Sequence, residues 1–90
     1  MYSIDFTKKA RQDAEKLSKD EPSAYKKLSR LIRELEEHPT TGTGKPERLS
    51  GDRAGQWSRR ITDKHRLVYT INDTTITVLV LTTYGHYDDK

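Results

Sequence analysis

An α+β fold, ordered β-α-α-β-β-β with an αα-hairpin on one face of an antiparallel sheet, is predicted by three features of this sequence. Two neighbouring segments near the N-terminus carry apolar residues at helical spacing, and the last third of the chain alternates or runs in β-branched residues. The third feature is size: the chain has 90 residues, and a chain this short buries only roughly 60–65% of its unfolded surface, enough for one thin core. A single domain over residues 1–90 is expected. Only 31% of residues are apolar and 34% are charged, yet the apolar ones are periodic, which argues for a small, heavily solvated fold and against disorder.

Tyr2, Ile4 and Phe6 alternate with Ser3 and Asp5, the period of a short half-buried strand. Thr7 then stands where an N-cap is needed, before a helix from Lys8 to Lys19 whose apolar stripe is Ala10, Ala14 and Leu17. Asp20-Glu21-Pro22 reads as a turn, with an acidic cap followed by a proline that the first helical turn tolerates. In the second helix Ala24, Leu28, Leu31, Ile32 and Leu35 form one continuous apolar face, and Pro39 ends it by disfavouring the helical conformation at His38. Thr40 to Gly55 holds four of the five glycines and reads as loop, with a short extended piece over Glu47 to Leu49. Strands are predicted at Gln56 to Thr62, His65 to Ile71 and Thr74 to Thr83, joined by turns at Asp63-Lys64 and Asn72-Asp73. The contiguous Val78 to Leu81 run suits a central strand buried on both sides.

The chain has no cysteine, which excludes a disulfide framework and a thiolate metal site and suits the cytoplasm, the expected location. The N-terminus lacks an apolar signal region, and no stretch approaches the roughly 20 apolar residues of a membrane span. No membrane association is expected. The net charge is +3, unevenly spread: Lys45 to Arg66 holds seven basic and three acidic residues, a local +4, and the rest holds ten and eleven, hence −1. Such a concentrated excess is the footprint of a polyanion binder, or else of a solvated basic hairpin.

If Leu67 and Tyr69 face the helices, Arg66 faces the uncovered side of the sheet. There its planar donors suit either a phosphate or a cross-strand salt bridge. Glu47 is the one acid in the GTGKPERLSG loop, between Lys45 and Arg48; it is a candidate general base or a surface acid balancing two cations. His86, after Gly85 and past the last strand, is the histidine positioned to reach the open face and to deliver a proton near neutral pH. Tyr87 could stack on an unpaired base or cover the sheet edge. His38 belongs to a helix terminus, and His65, facing away from Arg66, reads as structural. Taken together, a carboxylate, an arginine and a histidine can cleave RNA: a base for the 2′-hydroxyl, a cation for the phosphorane and an acid for the 5′-oxygen. No two-histidine spacing or acidic cluster suggests Mg²⁺ or Zn²⁺, so no metal or cofactor is expected.

GTGKPERL followed by GQWSRRITDKHRLVY, with Gly85-His86-Tyr87 at the C-terminus, closely resembles the YoeB/Txe toxins of the RelE superfamily. Their pattern is G-x-G-K-P-E-x-L, then W-S-R-R-I-x-x-x-H-R-L-V-Y, then H-Y. The resemblance implies a RelE-like microbial RNase fold and a ribosome-dependent mRNA interferase that cuts message in the 30S A site through a 2′,3′-cyclic phosphate. It assigns the base to Glu47, the transition-state arginine to Arg66, the acid to His86 and base stacking to Tyr87. Lys45, Arg59 and Arg60 fall on basic positions that would hold RNA phosphates, and Arg48 beside Glu47 joins them as an RNA-binding candidate. It implies a YefM-like antitoxin as partner, with a homodimer also open. Two features depart from the pattern: Leu81-Thr82-Thr83-Tyr84-Gly85 replaces a stretch containing cysteine and arginine, and Asp88-Asp89-Lys90 extends past the tyrosine. Two rival readings are a ParE-like toxin that is not a nuclease and an inactive RNA-binding module.

Overall fold

The computed structural model describes residues 1–42, 46–51 and 54–81. Within them the chain runs β1 (Ser3–Phe6), α1 (Lys8–Asp20), α2 (Pro22–Glu37), β2 (Glu47–Arg48), β3 (Trp57–Arg60), β4 (Arg66–Asn72) and β5 (Thr75–Val80). The strands form one sheet in the order β1-β5-β4-β3-β2. The short extended piece at Glu47 is therefore a true edge strand. The sheet is mixed and not wholly antiparallel as expected, because β1 pairs with β5 in parallel, Ser3 against Thr75 to Phe6 against Val78. Alternation along a strand fixes which face is buried but carries no information on the direction of its neighbour, so local pattern could not reveal this pairing.

Thr7 does two jobs where β1 becomes α1. Its Oγ1 accepts from the Ala10 amide at 3.0 Å, capping the helix, and donates to the Leu79 carbonyl at 2.9 Å. That carbonyl needs a partner because the β4–β5 register slips between Val68 and Tyr69: Val68 opposes Val80 and Tyr69 opposes Val78, leaving Leu79 as the extra residue of a bulge. The bulge also accounts for the unbroken apolar run. Val78 and Leu81 are both fully buried in the same core, a spacing that simple alternation would forbid.

The helices share one non-helical residue, Glu21, which is the C-cap of α1 and the N-cap of α2. The acidic cap expected here does not bond the helix end. Instead the Glu21 carboxylate lies 2.8 Å from Nε2 of His65, a fully buried side chain just before β4, and ties the helix junction to the β3–β4 turn. Within that turn Thr62 Oγ1 accepts from the Lys64 and His65 amides. Along α2, Ala24, Leu28, Leu31 and Leu35 are buried against Leu67, Tyr69, Ile76 and Val78, the face that the 3.6-residue period specifies. No helix among the described residues is long and apolar enough to cross a membrane.

The end of α2 is held by Arg59 from β3. Its guanidinium is 0% exposed; Nη1 donates to Glu34 Oε1 at 2.9 Å, Nη2 to the carbonyls of His38 and of Thr41, the latter at 2.6 Å, and Nε to the Tyr69 hydroxyl at 3.4 Å. The Tyr69 hydroxyl in turn donates to the Pro39 carbonyl at 2.5 Å. Burial raises the Tyr69 phenol above its ordinary pKa, partly offset by the hydrogen bond and charge of Arg59, which keeps the proton that this bond needs. Gly42 completes the arrangement: its φ is +110°, and a Cβ there would meet Glu34 Oε1 at 2.5 Å. Only glycine lets the backbone pass so close to the buried ion pair.

Removing Arg59 leaves Glu34, a third exposed, without its cation and takes the donor from the carbonyls of His38 and Thr41, at about 1–3 kcal/mol for each buried group left unsatisfied. Arg59→Leu should therefore lower the unfolding free energy by several kcal/mol in urea titration. Arg59→Lys should recover only part, because one ammonium cannot serve four acceptors. A loss below about 1 kcal/mol for Arg59→Leu would show that the network does not hold the fold.

Candidate functional site

Strand alternation gives the sheet two chemically different faces. Trp57, Leu67 and Tyr69 pack in the core beneath the helices. In register, Glu47 opposes Ser58, Ser58 opposes Val68, and Arg60 opposes Arg66. Directly opposed residues share a face, so Glu47, Ser58, Arg60, Arg66 and Val68 lie together on the side away from the helices. Val68 fits this placement, being fully buried yet no part of the core under the helices.

Glu47, on the edge strand, and Arg66, inside the sheet, meet across β3. Glu47 Oε1 is 3.9 Å from Arg66 Nη1, with the side chains 65% and 35% exposed. A pair this long and this wet contributes at most about 1 kcal/mol. Arg60, exposed on β3, stands directly opposite Arg66. Two guanidiniums on opposed positions repel, and an anion between them relieves the repulsion. The face thus offers a carboxylate that can take a proton beside two planar cations that can hold a phosphate.

The sequence-predicted residues divide clearly. Glu47, Arg60 and Arg66 come together on the open face. Arg59 does not: it lies fully buried on the helix side, its nitrogens turned to Glu34, Tyr69, His38 and Thr41. The expectation that it holds RNA phosphate is corrected by that placement. The cause is the period of the strand, which sends consecutive arginines to opposite faces. Arg48 opposes Trp57 and so turns away from Glu47, although it is exposed. Lys45, His86 and Tyr87 lie outside the described residues. His38 closes α2 and His65 is buried against Glu21, both as a structural reading requires.

Two residues here were not singled out for a role, although Ser58 lies inside the WSRR stretch. Asp13, 7% exposed on α1, accepts the Leu81 amide through Oδ2 at 3.2 Å and Lys9 Nζ through Oδ1 at 3.1 Å. It fixes the chain where β5 ends. The signal for it was weak: an acid at i+3 from Ala10 and i−4 from Leu17, hence on the buried stripe of α1. The second is Ser58, fully buried opposite Glu47.

Residues 6–87 match the family model of the YoeB-like toxins of bacterial type II toxin–antitoxin systems. A curated relative, Toxin YoeB of Mycobacterium bovis, is 44% identical over 79 residues, 88% of this chain and 93% of the relative. Among solved structures, a chain of the YoeB-YefM complex from Staphylococcus aureus superposes with a TM-score of 0.82 at 32% identity, covering 97% of this chain and 99% of that one. The YoeB dimer from the same organism gives 0.83 at 32% identity, covering 96% and 98%.

The exposure of the Glu47–Arg66 pair makes a stability measurement informative. Glu47→Gln and Arg66→Ala should each change the unfolding free energy by no more than about 1 kcal/mol, in contrast to Arg59→Leu. A loss of 3 kcal/mol or more, on the scale of about 3–5 kcal/mol that breaking a buried pair costs, would mark these side chains as structural.

Proposed function

The chain belongs to the YoeB-like toxins of bacterial type II toxin–antitoxin systems, and from that premise we propose that it is a ribosome-dependent endoribonuclease cutting mRNA in the 30S A site. The observation that carries this reading is the meeting of Glu47 and Arg66, drawn from an edge strand and an interior strand, on the face left open by the helices. A structural role explains little of it, since a pair this long and exposed contributes at most about 1 kcal/mol.

In the proposed reaction Glu47 takes the proton of the ribose 2′-hydroxyl at the cut. The 2′-oxygen attacks phosphorus, forming the new P–O2′ bond. Arg66, with Arg60 beside it, bears the charge that grows on the phosphorane, where such contacts contribute most. The P–O5′ bond breaks as His86 protonates the leaving 5′-oxygen. The products are a 2′,3′-cyclic phosphate and a 5′-hydroxyl end, with atoms and charge conserved and no metal or cofactor in any step. Tyr87 stacks on a base at the cut, and Lys45 adds charge for neighbouring phosphates. A YefM-like antitoxin is the proposed partner, in keeping with the Staphylococcus aureus complex, and self-association is proposed from the dimer of that relative. Covering the basic open face would silence the toxin in the cytoplasm, its proposed location.

The test is cleavage of message on translating ribosomes. Glu47→Gln and Arg66→Ala should each slow cutting by roughly 10²-fold or more, and a 2′-deoxynucleotide before the cut should abolish it. A 5′-phosphate on the downstream fragment, or normal cutting of the 2′-deoxy substrate, would overturn the assigned chemistry. Intact message with toxicity retained would move the chain to a toxin that is not a nuclease.

A further inference from the structure

Between the carboxylate and the two guanidiniums lies a hydroxyl for which the fold has no use. Ser58 is 0% exposed, and its Oγ makes no hydrogen bond among the described residues. Burying a hydroxyl unpaired costs its desolvation free energy, so such groups are few in native structures. Nothing in the strand demands serine here, since β3 pairs with β2 and β4 through its backbone, and residues with larger β-branched side chains suit an interior strand better. The serine therefore reads as a group whose partner arrives in another state of the site.

Register names that partner. Of the two residues directly opposite Ser58, Val68 has only methyl groups to offer, whereas Glu47 has a carboxylate. Opposed β-carbons lie about 5 Å apart, so a rotamer change brings the Glu47 carboxylate onto the hydroxyl. In the structure that carboxylate leans toward Arg66 instead. Among the described residues, the charged groups beside it on the open face are Arg66 from β4 and Arg60 from β3; Arg48, on its own strand, turns to the other face.

We propose that Ser58 is a positioning residue for Glu47: when an RNA phosphate takes over Arg66, the released carboxylate accepts a hydrogen bond from the Ser58 hydroxyl. One carboxylate oxygen is then held by Ser58 and the other is left to take the 2′-hydroxyl proton. This rests on Glu47 being the base. The hydrogen bond favours the ionised carboxylate and fixes its direction, the two properties a base needs. Ser58 itself touches no substrate atom.

The experiment is single-turnover cleavage of ribosome-bound message at saturating toxin, over a range of pH, with urea unfolding of the same proteins. Ser58→Ala should lower the saturated rate about tenfold, the scale of one hydrogen bond to a charged group. The toxin concentration giving half the maximal rate should not change. The acidic limb of the pH profile should move to higher pH, because the carboxylate loses a bond that favours its charged form. The unfolding midpoint should stay or rise, since an unpaired buried hydroxyl has been removed; a structural serine would lower it. Ser58→Thr, which keeps the hydroxyl, should restore both rate and pH profile. A Ser58→Ala protein with the native rate and acidic limb, or one whose lost rate tracks lost stability, overturns the proposal. Glu47→Gln separates the two levels: if it cleaves normally the reading of the whole site fails, and if it is inactive while Ser58→Ala is native, only the role of Ser58 fails.

Discussion

The Arg59 guanidinium is the contact on which the geometry of this protein depends. A helix end leaves its last carbonyls without intrahelical partners, and at the end of α2 those of His38 and, just beyond, Thr41 receive Nη2 of Arg59, while Pro39 receives the Tyr69 hydroxyl. Glu34 supplies the counter-charge. Taking a guanidinium out of water is costly unless both its charge and its donors are matched, and here the matching groups all come from the last turn of α2, the chain just past it and the adjacent strand. The chain leaving α2 is thus fixed from His38 to Gly42. This matters because β2 is only two residues long, too short to place itself. Glu47 is placed by its pairing with β3, the strand that also carries Arg59.

β3 therefore works on both sides of the sheet at once. Trp57 and Arg59 face the helices and build the scaffold; Ser58 and Arg60 face away and build the site. The other end of the sheet is treated similarly by α1. Thr7 binds the carbonyl freed by the bulge at Leu79, and Asp13 binds the Leu81 amide, so the strand that precedes His86 in sequence leaves the sheet from a defined point.

Most of the elements were legible because their signals are local. The Ala24 to Leu35 stripe, the Thr7 cap and the alternation through Leu67, Tyr69 and Ile71 each follow from a period that the backbone imposes. The Arg66 placement followed from the same alternation, whereas Glu47 was singled out as the one acid in its loop and its face came only with the β2–β3 register. Arg59 was misread for a different reason: charge counting treats Arg59 and Arg60 alike, while their exposure is decided by strand phase. Applying to β3 the alternation used for β4 would have separated them. Parallel pairing of β1 with β5, the diversion of Glu21 from cap to His65, and the anchoring of Leu81 by Asp13 all join residues far apart in sequence. No local pattern encodes them, because each side chain would look equally at home on a solvated surface.

The weakness of the Glu47–Arg66 contact is the property that suits the face to a reaction. At 3.9 Å and with both side chains partly in water, the pair is worth about 1 kcal/mol or less. A buried, bidentate pair would hold several times that against any ligand. The two non-bridging oxygens of a phosphodiester would offer the planar Arg66 guanidinium a two-point partner that a single distant carboxylate oxygen does not, and Arg60 opposite adds a second cation whose repulsion of Arg66 a phosphate would relieve. On the proposed reading, exchange of the carboxylate for the phosphate would therefore cost little. The strong ion pair of this fold, Arg59 with Glu34, sits on the other face; the weak one sits where the proposed substrate would displace it.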